Sequence, residues 1–111
     1  MKNIITLFAI VLTVSMSFAQ NANKNTYYLD GDVIKATIYH DNGTIAQTGY
    51  YTADNKLTGE WVSYDFNGNK TAIAQYNKGE KVGTWYFFTN EDIKEVSYAD
   101  ARIAKVVTWK I

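Results

Sequence analysis

The chain has 111 residues, 11 basic and 11 acidic side chains, no cysteine and no proline. That length argues for one domain, and zero formal charge offers nothing to a nucleic-acid backbone or an acidic membrane surface. The lack of cysteine excludes disulfides, thiolate catalysis and cysteine-ligated zinc.

Residues 1–19 read as a signal peptide. Lys2 gives a positive start, an apolar run from Ile4 to Met16 follows, and Ser17-Phe18-Ala19 puts small residues at positions −3 and −1 of a cleavage site before Gln20. The apolar run is short for a bilayer span. A stop-transfer pattern does not follow it, and a lipoprotein would need cysteine at the cleavage point. A helical leader and an exported chain, periplasmic or extracellular and with no integral span after cleavage, are expected. Residues 20–29 are expected to be a flexible segment, disordered to residue 26, and residues 30–111 the folded domain.

The rest has strand composition: nine tyrosines, three tryptophans and many β-branched residues. Glu60-Trp61-Val62-Ser63-Tyr64-Asp65-Phe66 alternates with period two and carries no helical stripe. Strands are expected over 33–40, 44–51, 60–66, 70–77, 84–89, 94–99 and 104–111, with no helix in 30–111. Asn42-Gly43 and Asn67-Gly68 signal type I′ hairpin turns. A looser turn is expected near Glu91-Asp92, and a longer loop from Thr52 to Thr58. With Asn67-Gly68 central, Phe66 opposes Asn69, Asp65 opposes Lys70, Tyr64 opposes Thr71, Val62 opposes Ile73, Trp61 opposes Ala74 and Gly59 opposes Tyr76. Ala74 would then give the Trp61 indole room, and Tyr76 would lie over Gly59. In the first hairpin Tyr39 opposes Ala46 and Ala36 opposes Gly49.

Trp61, Trp85 and Trp109 recur at equal spacing, the first two as Gly59-Glu60-Trp61 and Gly83-Thr84-Trp85. An aromatic, an Asn-Gly turn, a tyrosine, a glycine-rich turn and Gly-x-Trp succeed one another, so the unit occurs about three times. Tyr64 to Trp85, YDFNGNKTAIAQYNKGEKVGTW, resembles the bacterial variant of the MORN repeat in Tyr64, Asn67-Gly68, Tyr76, Asn77, Gly79, Gly83 and Trp85. An earlier copy uses Tyr39, Asn42-Gly43, Tyr50, Gly59 and Trp61. A third keeps Phe88, Tyr98 and Trp109, has Val107 at the glycine position and has Ala101 to Lys105 in place of a glycine loop. The resemblance implies an all-β fold: an antiparallel β-meander of about three hairpin repeats, the degraded last copy acting as a cap. It also implies scaffolding or interaction. The antitoxin-like label of bacterial variants fits poorly with a leader that separates this chain from a cytoplasmic toxin.

Chemistry is sparse. In NKGEKVGTW, residues 77–85, Gly83 leads into a strand, not the helix that a phosphate loop requires. Gly79 reads as a left-handed turn residue. Gly83 reads as a strand glycine overlaid by an aromatic, Tyr98 being the nearest candidate, two positions from direct opposition and paired with Trp85. His40 has no serine elbow to serve, with Ser63 and Ser97 the serines after the leader. Asp30-Gly31-Asp32 and Asn90-Glu91-Asp92 read as solvated turns rather than calcium loops. No catalytic residue, metal or cofactor is expected.

The aromatic rows remain. Val62, Tyr64, Phe66, Tyr86 and Phe88 share one face, and Trp61, Trp85 and Phe87 the other. Either a curled sheet buries both faces, or an aromatic strip is left to bind. The candidate binding residues are Trp61, Tyr64, Phe66, Trp85, Tyr86, Phe88 and Trp109. The function expected is that of an exported, non-catalytic module for protein–protein interaction, scaffolding or self-association at the cell envelope. The alternative is a small carbohydrate-binding or hydrolytic envelope protein that sets turn carboxylates beside its aromatic face. Mass spectrometry of the native protein should find its N-terminus at Gln20 or the derived pyroglutamate; a chain retaining Met1 to Ala19 overturns the leader.

Overall fold

The computed structural model describes residues 24–111. The expected leader, and residues 20–23 of the expected flexible segment, lie outside them. The described residues form an antiparallel meander: β1 Thr26–Asp30, β2 Val33–Tyr39, β3 Ile45–Thr52, β4 Leu57–Tyr64, β5 Lys70–Asn77, β6 Glu80–Lys81, β7 Gly83–Phe88, β8 Asp92–Ala99 and β9 Arg102–Lys110. Each strand pairs with its neighbour in sequence, except that β5 carries β6 and β7 in turn along one edge. No helix occurs among the described residues. The expected strands are found. The expected loop from Thr52 to Thr58 shrinks to a turn closed at Lys56, because β4 starts at Leu57. β6 and β1 are added: Thr26–Asp30 is ordered against β2, with Tyr27 opposite Ala36 and Leu29 opposite Ile34. The expectation of a flexible segment there fails because alternate residues of TYYLD extend the apolar rows of β2.

The Asn-Gly turns are not type I′. At the β4–β5 turn Gly68 N–H donates to Asp65 O and Asp65 N–H to Asn69 O, and Gly68 alone in the turn has a positive φ, of 88°. This is a three-residue loop, a type I turn closed by a left-handed residue and a bulge. The β2–β3 turn repeats it, with Gly43 at φ 88°, and the Thr52–Lys56 turn repeats it with Asn55 at φ 70°. The extra loop residue shifts the pairs next to each turn: Tyr64 faces Lys70 rather than Thr71, and Tyr39 faces Ile45 rather than Ala46. Asp65 does not face Lys70 across the ladder. Its carboxylate accepts the Asn67 and Asn69 N–H groups, both at 2.9 Å. Those bonds, chiefly the one from the Asn69 backbone, hold the carboxyl below its ordinary range. Beyond the bulge the register returns, so Trp61 faces Ala74, Gly59 faces Tyr76 and Ala36 faces Gly49 as expected. True two-residue turns with both central φ positive occur at Lys78-Gly79 and Asp100-Ala101.

The core lies on one face of the sheet. Ala36, Trp61, Ala74, Trp85 and Val96 are buried there, flanked by Ile38, Tyr51, Leu57, Tyr76 and Tyr98. Gly49 makes room for Trp61. A Cβ added at Gly49 would overlap Cδ2 and Cε2 of the indole, so Gly49 joins Ala74, which faces Trp61 in the same buried cluster, in giving the ring its space. Gly49→Ala should therefore destabilise the fold by about 1–3 kcal/mol through overpacking, read as a lowered urea midpoint with an unchanged slope; an unchanged midpoint overturns this packing.

Candidate functional site

The repeated Gly-x-Trp element builds the central site. Gly59 and Gly83 have φ of 72° and 64°, a region that side chains with a Cβ rarely adopt. Each glycine sits where its strand swells against the preceding one. Thr58 to Val62 spans the length that Tyr50 to Thr48 covers, and Lys81 to Phe87 the length that Tyr76 to Ala72 covers. The swelling tips each tryptophan back over its own hairpin. Trp61 Nε1 donates to Tyr50 O and Trp85 Nε1 to Gln75 O, both at 3.0 Å. Tyr51 meets Trp61 edge-on, and Tyr76 meets Trp85 likewise, both with centroids 5.1 Å apart. Two copies of one packing unit thus stand side by side.

Gly83 is consequently not a glycine overlaid by Tyr98. Tyr98 faces Gly83 directly in the register, and Trp85 faces Val96. A Cβ on Gly83 would meet only the Gln75 side chain, at 3.6 Å. Its positive φ is what requires glycine. At Gly59 the overlying ring belongs to Tyr50, 3.3 Å from a Cβ built there, not to Tyr76.

The stretch read as a third copy does not form the Gly-x-Trp unit. Val106, not Trp109, faces Val96, the place that Trp85 holds against Ala74 in the copy before. Ala104 is the residue skipped at the register shift between Ser97 and Tyr98, so it stands in the glycine's place and Val107 does not. Trp109 faces Ile93, which faces Phe88, on the opposite side of the sheet. Its Nε1 donates to Glu95 Oε1 at 2.9 Å.

The seven candidate residues are therefore not one surface. Trp61 and Trp85 are 4% and 7% exposed in the core. Tyr64, Tyr86, Phe88 and Trp109 occupy the other face, where Val62, Ile73 and Tyr86 line up across three strands. Phe66 stands in its turn, stacked on His40 at 4.2 Å. His40 Nε2 lies 2.9 Å from Tyr64 O, so the histidine fastens two neighbouring hairpins; the ring nitrogen donates there, since a carbonyl only accepts.

On the core face lies a groove of about 320 Å³ whose lining includes Tyr51, Trp61, Tyr76, Trp85 and Phe87. Gln47 and Ser63 enter it as a hydrogen-bonded polar pair, 3.2 Å apart. A second hollow of about 470 Å³ adjoins it at Tyr51, bounded by Tyr27, Ile34 and Asn55. Burial, followed by the neighbouring Tyr27 and Tyr98 phenols respectively, raises the Tyr51 and Tyr76 hydroxyls above their ordinary values. They remain neutral at physiological pH. Lys81 reaches over the Trp85 and Tyr98 rings, 5.2 and 5.6 Å from their centroids. The groove offers aromatic and amide contact. The sequence hid it because Gln47, Ser63 and Ala72 carry no motif and meet the tryptophans only through cross-strand register. The chain has no significant match among known protein families, curated proteins or solved structures.

Truncating Trp85 to Ala should cost about 3–5 kcal/mol, as for a buried aromatic, whereas Trp109→Ala, at a residue 55% exposed, should stay within about 1 kcal/mol. Thermal melts of the two variants check this; similar losses would restore Trp109 to the repeat.

Proposed function

We propose that this chain is an exported, non-catalytic repeat module of the MORN-variant kind, and that it binds another protein at the cell envelope. The observation that carries the reading is the single-layer sheet itself. Its tryptophan units are built from their own hairpins, so the same stripe that makes the core also floors an open groove. Such a surface holds apolar contact area ready in fixed rotamers, which limits the entropy lost on binding. Aromatic side chains of this kind anchor protein interfaces. The unit of Gly-x-Trp, bulge and indole–carbonyl bond supports the repeat reading, and the leader pattern in residues 1–19 supports export.

A glycan-binding reading is favoured by one feature: the Gln47 and Ser63 polar pair set among aromatic rings. Carbohydrate sites combine flat rings with a few fixed polar groups. The two readings separate in one experiment. The chain is used as bait in affinity capture from its native envelope, beside a Ser63→Arg variant that fills the groove. A protein recovered with the parent, and lost with a Ser63→Arg variant of unchanged melting temperature, is the expected result. Enrichment of polysaccharide alone overturns the protein-binding reading in favour of the glycan one.

A further inference from the structure

The two ends of the sheet have unlike chemistry and matching direction. Among the described residues nothing pairs with the outer edge of β1 or of β9. Exposed large apolar side chains gather on these two strands: Tyr27, Tyr28 and Leu29 on β1, and Ile103, Val106 and Trp109 on β9. Interior strands, with neighbours on both sides, cover most of theirs, Ile45 on β3 and Phe87 on β7 being the exceptions. The core stripe therefore runs off both ends unfinished. On the core face it ends in Tyr27 and Leu29, opposite Ala36 and Ile34, and in Ile103 and Val106, opposite Tyr98 and Val96.

Charge distinguishes the ends. β9 carries Arg102, Lys105 and Lys110 and no acid. β1 carries no base and ends in Asp30; the flanking turns carry one acid each, Asp32 after β1 and Asp100 before β9, so the complementarity rests on Asp30 with the bases of β9. Direction is set by strand number. The path β1-β2-β3-β4-β5-β7-β8-β9 has an even number of antiparallel strands, so β1 and β9 run in opposite senses. A second copy placed beside the first, unrotated, presents its β1 antiparallel to β9 with the same face toward the groove.

We infer that the chain associates head to tail with further copies of itself, β9 of one pairing antiparallel with β1 of the next. Asp30 then lies at the Arg102 end of β9, Leu29 beside Ile103, and Tyr28 near Lys105. Edge addition supplies main-chain hydrogen bonds to both unpaired edges and continues the core stripe. A symmetric β9–β9 pair centred on Val106 would instead set Arg102 against Lys110, a like-charge pair that opposes association. Because the operator is a displacement rather than a two-fold axis, the contact does not close and copies add in series. The inference deepens the binding-module reading by naming a second copy as a partner. It can fail while a foreign partner is still captured from the envelope.

The test uses the full chain expressed with its N-terminal segment and purified as the cell processes it. Sedimentation velocity from about 10 µM to about 1 mM should show a graded series of growing species, weakened by salt. Asp30→Lys or Arg102→Glu alone should weaken association about fivefold or more, and the doubly reversed chain should regain it. A monomer throughout overturns the inference. So does a discrete dimer that grows no further, or association unchanged by either reversal. Circular dichroism of each variant confirms that loss of association is not loss of fold.

Discussion

The indole N–H of Trp61 on the carbonyl of Tyr50, and that of Trp85 on the carbonyl of Gln75, are the bonds on which this sheet depends. A sheet of one layer has no second sheet or helix to cover its apolar face. It must therefore fold its own largest side chains flat onto its own backbone. An indole buried that way needs a partner for its N–H, and a widened strand pair supplies one. The positive-φ glycine two residues earlier makes the widening possible. Glycine, bulge, tryptophan and carbonyl are thus one device. Gly49 belongs to it as well, since only a residue without Cβ leaves the Trp61 ring its place.

The third hairpin shows what happens when the device is dropped. Ala104 and Val106 replace glycine and tryptophan, and the register shift narrows to one skipped residue. Val106 is too small to cover its hairpin and remains exposed, as do Ile103 and Trp109. The last hairpin consequently ends the packing without closing it. At the other end β1 does the same with Tyr27, Tyr28 and Leu29. The grooves, the open edges and the thin core follow from one constraint: each strand is covered by its sheet neighbours, and among the described residues the end strands lack one.

Much of the fold was legible in the residues. The all-β class, the meander and the boundaries of the central strands followed from period-two alternation and Asn-Gly turns. Pairs remote from the turns, such as Trp61 with Ala74, were legible despite the wrong turn type. A two-residue turn and a three-residue loop with a bulge give the same register once the bulge is passed. Pairs beside the turn, Tyr64 and Tyr39 among them, were not, because they lie inside the bulge. β1 was missed because five residues with neighbouring polar ones resemble a linker until β2 is beside them.

By itself the sequence determined the repeat, since the spacing of Gly59-Glu60-Trp61 and Gly83-Thr84-Trp85 is a property of the chain. It also determined which residues alternate across the sheet, since successive side chains of a strand point to opposite faces. Only the tertiary structure decided that Trp109 is no member of the series, that Gly49 lies directly under the Trp61 indole, and that Gln47 and Ser63 meet in the groove. Those facts depend on how many residues each strand spends against its neighbour. A bulge changes that number without changing the pattern along the strand, so the pattern cannot report it.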